Sequence, residues 1–370
     1  MRSKAFFING GAGRVICSIP ALEKYAETHD DFIVVAEGGT DFYKGHPILD
    51  GRVYDAWHKN LFEEQIKHRD CVTPEPYRMW HYYNQKCSLS QAFDMEINGL
   101  DEPRELPKPT LNLTKMEVIQ GYNIVQEVKA VTGKDKTIVI QPFGRSVQQM
   151  GDFIADPTSR SMSLVNVVDI INDLKKDYGV IVMSEIQFPV EENEEKSKYK
   201  IARPQISDIR LWASVIDVAD HFLGVDSIGQ HICKALDKKA TVVIGSTYPV
   251  NISYPEDVNF DIIDVGLEKR VYSPIRISMD EMRDRHNDQA MEMDKDQVKQ
   301  VIASVRKHLG KPTEFKGSYT PVQQDNSCCS PTENSTSMNT NLYMNPSEKS
   351  KKQKVGFKQE VKDLLKTKSN

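Results

Sequence analysis

The sequence predicts an α/β chain made of two Rossmann-like domains that face each other across a cleft, followed by a disordered C-terminal tail. Three observations carry this reading. Short apolar runs alternate with helix-period patterns from Lys4 to Val265. The strand–loop–helix rhythm starts twice, at Lys4 and again at Lys136. Each first strand opens into a glycine loop, Gly10-Gly11-Ala12-Gly13-Arg14 in one half and Pro142-Phe143-Gly144-Arg145-Ser146 in the other. Finally, the 370 residues suit two domains with a tail, and the composition shifts at Lys311.

In the first half, Lys4 to Ile8 reads as a buried strand, and a helix from Val15 to Thr28 follows, with Ile16, Ile19 and Leu22 inward. The glycines between them let backbone approach a ligand. Ile16 stands where a dinucleotide fingerprint needs its third glycine, and no Gly-Lys-Ser/Thr follows for a Walker loop. Asp31 to Glu37 and Arg52 to Trp57 read as strands, and Leu61 to His68 as a short helix. Tyr77 to Tyr83 is rich in rings, which suit either sugar or base stacking or a core helix. The proline-bearing stretch 101–113 reads as a connection, and a helix from Lys115 to Val131 ends at Gly133. The boundary is placed there, giving domains 1–133 and 134–310 and a tail 311–370.

In the second half, strands are expected at Lys136 to Gln141, Val180 to Glu185, Phe222 to Val225, Thr241 to Ile244 and Asp261 to Val265. Helices are expected at Ser163 to Lys176, after a cap at Ser207, from Ile228 to Leu236, and from Asp294 to Leu309. The loop Asp226-Ser227-Ile228-Gly229-Gln230-His231 opens one of these helices. Unpaired N–H groups and the dipole attract anions at such a start. In open parallel sheets, ligands bind beyond the carboxyl ends of the strands, and all three loops lie at such ends.

Composition narrows the function classes. No run approaches the roughly 20 apolar residues of a spanning helix. Six cysteines show neither a CxxC pair nor metal-ligand spacing, which suggests a reducing, cytoplasmic setting. A net charge of −5 argues against binding nucleic acid by bulk charge. Residues 316–350 are Ser-, Thr-, Asn- and Gln-rich and read as unfolded. Ser347 to Asn370 carries eight Lys against three acids and reads as a short basic helix for an anionic surface or a partner.

Three segments together resemble glycosyltransferase family 9, which includes the ADP-heptose:lipopolysaccharide heptosyltransferases. They are Phe222 to His231 with Ala235-Leu236-Asp237-Lys238 and Thr241 to Thr247, then Gly13 to Leu22, then Ile138 to Pro142. The resemblance covers residues 4–310 and is patchy between 40 and 130. Such sequences also resemble glycosyltransferases of large bacteriophages, which would place this chain in a host cytoplasm. The resemblance implies a GT-B fold and an inverting hexosyl- or heptosyltransferase-like activity. The donor would be a nucleotide-diphospho-sugar, with no separate cofactor or metal. The acceptor would be a glycan, a lipid-linked sugar or a modified nucleic acid.

It also implies roles for residues. Asp226, Ser227 and His231 take the positions that contact donor phosphates. Ile228 replaces the family glycine, and Gly229 follows one place later. Gly11 and Gly13 belong to the first loop at the cleft. Arg160, or else Arg145, matches the basic residue that assists the phosphates, and Glu185 the position that holds the nucleoside. One departure is chemical. The family's first loop reads Gly-Asp, with that Asp as general base, and here it reads Gly13-Arg14. An arginine is no base at neutral pH. Candidates for a moved base are Glu37, Asp41 and His46, just past the second strand, while Arg14 is expected to face the cleft and grip an anion. Two other readings stand beside transfer: a nucleotide-sugar epimerase-like enzyme, and a nucleotide-sugar-binding protein without catalysis.

Overall fold

The structure, a computed structural model, describes residues 3–150, 153–270 and 289–319. The basic helix expected after Ser347 lies outside them, as does most of the tail. Residues 313–315, expected to belong to that tail, instead lie alongside 133–135. A bridge pairs Lys134 with Glu314, and Asp135 N–H donates to the Thr313 carbonyl.

Strand β1 (Lys4–Ile8) leads into helix α1 (Ala12–Ala26), and β2 (Phe32–Ala36), β3 (Val53–Asp55) and β4 (Asp70–Val72) complete a parallel sheet of order β3-β2-β1-β4. The run Phe-Ile-Val-Val-Ala of β2 is buried throughout, as a strand covered on both faces requires. The helix expected at 61–68 is a single π-type turn, Phe62–Ile66. In the ring-rich stretch, Trp80–Tyr83 is the short helix α2, with Tyr82 buried and Trp80 exposed. Helix α3 (Leu89–Asn98) is an addition to the expected elements. Ser88 and Gln91 form a reciprocal capping box, Gly99 ends the helix at φ +66°, and α3 packs along α1.

Helix α4 (Lys115–Thr132) carries the second capping box, Thr114 with Glu117. The second sheet then begins with β5 (Thr137–Gln141). A small antiparallel ribbon, β6 (Gln148–Met150) and β7 (Phe153–Ala155), precedes α5 (Leu164–Leu174), β8 (Gly179–Val182) and β9 (Ile201–Ala202). Helix α6 (Ile209–Val218) is capped by Asp208 rather than Ser207, its carboxylate accepting from Arg210 N–H at 2.8 Å. There follow β10 (His221–Val225), α7 (Ile228–Ala235), β11 (Ala240–Ile244), α8 (Pro249–Ile252), β12 (Phe260–Asp264) and α9 (Lys295–Leu309). The sheet is parallel, in the order β12-β11-β10-β5-β8-β9.

Helix α4 lies before Gly133 yet packs on α6, β5, β8 and β9 of the second sheet. At their crossing a Cβ on Gly121 would stand 2.2 Å from Ser214 Oγ, so the glycine sets how closely α4 and α6 approach. Between the two sheets, α1 packs on α7, and one apolar cluster runs from Phe6 and Ile19 to Phe222 and Ile232. Buried polar groups join the halves as well. Asn251 Nδ2 donates to the carbonyls of Tyr82 and Cys87 at 2.7 and 2.9 Å. Arg210 donates to the carbonyls of Asp41 and Asn112 while pairing with Glu117. Among the described residues no helix is long and apolar enough to cross a membrane.

Candidate functional site

The carboxyl ends of the two central strands, β1 and β10, meet at α1 and α7. Gly13, in the first turn of α1, faces His231 of α7. A Cβ on Gly13 would lie 3.0 Å from His231 Cδ2 and 3.5 Å from Nε2. A Cβ on Gly11 would lie 3.4 Å from Arg145 Nη1. Thus the first glycine loop, the loop after β5 and the start of α7 are brought together. Gly39, at φ +73°, closes the other side of this region, since its Cβ would meet Ala12 Cα at 3.0 Å.

The loop from Pro142 to Ser163 is folded around Asp156. The Asp156 carboxylate accepts from the amides of Thr158, Arg160 and Ser161 and from the hydroxyls of Thr158 and Ser161. Burial raises its pKa and these donors lower it, with a net result below the usual carboxylate value. This scaffold fixes Arg160. Its Nε donates to Thr158 Oγ1 at 3.0 Å, and its Nη1 lies 3.7 Å from Asp226 Oδ2. Arg145 is exposed on the same loop.

Asp226 is 3% exposed, at the end of β10. Its Oδ2 also accepts from Thr247 Oγ1 at 3.0 Å and its Oδ1 from Gln230 Nε2 at 3.4 Å, while Gln230 Oε1 accepts from Ser253. Thr247 and Ser253 thus tie the loops after β11 to this carboxylate. A carboxylate repels a phosphate, so the arrangement suits Asp226 to holding Arg160 rather than to touching an anion. Ser227 Oγ accepts from Gln141 Nε2 at 3.1 Å, and Gln141 Oε1 accepts the Gly229 N–H at 3.0 Å. This corrects the picture of an open anion site at the start of α7, because the last side chain of β5 fills one of its N–H groups. Gly229 is required by space, since a Cβ there would be 2.2 Å from Phe222 Cζ.

His231 is 3% exposed. Its Nδ1 pairs with Tyr254 Oη at 2.8 Å and lies 3.5 Å from Cys17 Sγ. Burial, and less so the Arg160 charge, push its pKa down to about 4. The imidazole is therefore neutral at pH 7 and offers no cation to a phosphate. Burial, then the neighbouring His308, likewise push His221 down to about 3. A histidine with a lowered folded-state pKa binds its proton more readily when unfolded. Its stabilising effect is complete above pH 6.5, the ordinary value, and is lost as pH falls through the window to about 4 for His231 and about 3 for His221. Unfolding free energy is expected to fall by about 1.4 kcal/mol per pH unit for each group across that window. In denaturant titrations from pH 7 to pH 4, His221→Gln/His231→Gln should show a clearly shallower slope than the parent, and an equal slope would refute the assignment.

Arg14 is the main correction. It was expected in the cleft, but it is 5% exposed and turned into the first half. Its Nη2 donates to the Pro74 carbonyl at 3.2 Å, and its guanidinium lies 5.0 Å from the Tyr77 ring and 5.4 Å from Phe93. The ring-rich stretch supplies that aromatic seat. Of the three candidate bases, His46 is fully engaged. Its Nδ1 accepts from the amides of Ile48 and Leu49, so its proton is on Nε2, 2.9 Å from Glu23 Oε1. Asp41 is paired with Lys44 at 2.5 Å. Glu37 is exposed and follows Ala36, which pairs with Ile8 of β1, so it stands at the strand edge that bears Gly10. Glu185 is exposed in the loop after β8, also at a carboxyl edge. Gln141, Thr247, Ser253 and Tyr254 join the site without being among the residues expected from the sequence. Gln141 had one signal, a polar residue closing an apolar strand.

No family model and no curated protein matches the sequence. Among solved structures the chain is similar to a glycosyl transferase family 9 protein from Veillonella parvula DSM 2008, with a TM-score of 0.57 and 12% identity over 83% of this chain and 97% of that one. It is also similar to TibC, a dodecameric iron-containing glycosyltransferase from enterotoxigenic E. coli H10407, with a TM-score of 0.53 and 9% identity over 83% and 76%. At these identities the likeness is one of fold, and the expected GT-B architecture of two parallel-sheet halves is the one observed.

Proposed function

We infer that the protein is a glycosyltransferase that takes a nucleotide-diphospho-sugar and passes the sugar, with inversion, to an acceptor hydroxyl. One observation carries this reading. At the strand ends, Arg145 lies beside the glycine turn that begins α1, and Arg160 lies beside Asp226 at the end of β10. Arg160 is held by Asp226 and by the Asp156 scaffold, so its fork is oriented before any ligand arrives. Two guanidinium groups and a helix start suit the charge that develops on a leaving diphosphate. The fold's likeness to a glycosyl transferase family 9 protein supports the same reading.

In this account Gly11 and Gly13 admit the diphosphate to the start of α1, and Arg160 and Arg145 carry its charge. Asp226 is a positioning residue, and His231 packs the two halves together. Glu185 stands at the edge where a nucleoside would extend. Glu37 is the base that takes the acceptor's proton, because Asp41 and His46 are already paired and Glu37 stands beside the first loop. Glu37→Gln is expected to lower kcat by a factor of about 100 or more with donor affinity unchanged. Release of nucleoside diphosphate from a panel of nucleotide sugars, with and without acceptor, checks this. Equal turnover in Glu37→Gln would remove Glu37 from the mechanism.

A second reading has its own observation. Arg14, where the resembled family has its base, is sealed against Tyr77 and Phe93 and supplies none. If binding occurs without release of nucleoside diphosphate by the parent protein, the chain is a nucleotide-sugar-binding protein.

A further inference from the structure

We propose that Trp57 is the stacking platform of an acceptor subsite for an uncharged glycan. The proposal rests on the transfer reading above and names the acceptor class. Trp57 is 86% exposed, an unusual state for the largest apolar side chain. Its backbone is held in a turn. The Trp57 backbone N–H donates to Asp55 Oδ1 at 2.8 Å, the next amide, that of His58, donates to the Asp55 carbonyl at 2.9 Å, and the flanking Tyr54 and His58 rings meet edge to face at 5.3 Å.

Its place is set by the sheet. Asp55 ends β3 in register with Ala36 of β2, which is in register with Ile8 of β1. With strands about 4.8 Å apart, Trp57 leaves the sheet about one strand spacing from Glu37 and about two from the first glycine loop. An indole there meets a sugar bound next to the proposed base. Phe62, on the turn that follows, is a second exposed apolar side chain of this stretch.

The surrounding charge selects the ligand. From Asp55 to Lys67 there are three carboxylates, Asp55, Glu63 and Glu64, against two ammonium groups, Lys59 and Lys67, with Lys67 paired to Glu63 at 2.8 Å. Glu37 adds another exposed carboxylate at the same edge. Such a surface repels phosphate-rich partners, both nucleic acid and anionic membrane. Carboxylates accept hydrogen bonds from sugar hydroxyls, while the indole face covers the C–H side of the ring.

The test uses the full chain and its Trp57→Ala and Trp57→Phe variants in calorimetric titrations. The probes are maltotetraose, cellotetraose, chitotetraose, phosphatidylglycerol–phosphatidylcholine vesicles and single-stranded oligothymidylate. At least one oligosaccharide should bind the parent, about tenfold more weakly to Trp57→Ala and within about threefold to Trp57→Phe. The proposal is overturned if no oligosaccharide binds, if Trp57→Ala binds as the parent does, or if Trp57 is needed for vesicles or oligothymidylate instead. Nucleoside diphosphate is titrated in parallel. Its failure to bind the parent would strike the donor reading alone, while Trp57-dependent sugar binding would stand.

Discussion

Replacing Arg160 with alanine is expected to weaken nucleoside-diphosphate binding by about a hundredfold, the loss that follows when one partner of a partly buried charge pair is truncated. The fold should survive the change. Asp226 keeps its hydrogen bonds from Thr247 and Gln230, and Asp156 keeps those from Thr158 and Ser161. Arg160→Lys retains the charge but loses the planar fork, so an intermediate loss of about tenfold is expected. Calorimetric titration of the three proteins with ADP, UDP and GDP checks the order. Equal affinity in Arg160→Ala would remove Arg160 from the donor site.

The second large effect is on stability. Arg210 is 3% exposed. It donates to both oxygens of Glu117, at 2.5 and 2.9 Å, and to the carbonyls of Asp41 and Asn112 at 2.9 and 2.6 Å. The Arg210 hydrogen bond is the main reason the Glu117 carboxyl lies at about 2, well below its ordinary value of 4.5. Arg210→Met would leave that carboxylate and two carbonyls without their donor, at a cost of about 3–5 kcal/mol. Arg210→Met/Glu117→Gln should recover part of the loss, because the uncompensated charge is gone. Denaturant unfolding at pH 7 measures both. A change below about 1 kcal/mol for the single variant would show that the pair is an ordinary surface one. The sign with pH is fixed too. Glu117 contributes fully above pH 4.5, and the contribution disappears as pH falls toward about 2.

Much of this fold is legible in the sequence because its strands are buried on both faces. The runs that became β2, β5, β10 and β11 are mostly apolar and buried at every position, and the periodic faces of α5 and α9 are unambiguous. Elements without such a pattern were missed. Strand β4 is Asp-Cys-Val and β9 is Ile-Ala, too short to show any period, and they exist because a neighbouring strand offers its edge. Helix α3 does carry a signal, Ser88 three places before Gln91 with Gly99 at the far end.

The site was legible in its place and less so in its directions. Loops at carboxyl strand ends are local features, so the pattern alone puts Gly13 and Asp226 at such ends. Which way a side chain turns depends on distant residues. Arg14 turns inward because Pro74, Tyr77 and Phe93 make a seat for it, 60 residues or more away in sequence. Gln141 fills the start of α7 across 88 residues. His231 is neutral because α1 and α7 bury it together, which no local pattern states. The boundary at Gly133 follows a real helix end, yet α4 packs with the sheet that comes after it.

The central claim is that the junction of the three loops holds a diphosphate. A crystal structure of the protein grown with a nucleoside diphosphate tests it most directly. The account predicts phosphate density at the start of α1, between Gly11 and Gly13 on one side and the Arg160 guanidinium on the other. Phosphate bound at the opposite end of the second sheet, in the hollow lined by Lys136, Lys238, Lys239 and His308, with the loop junction empty, would contradict it.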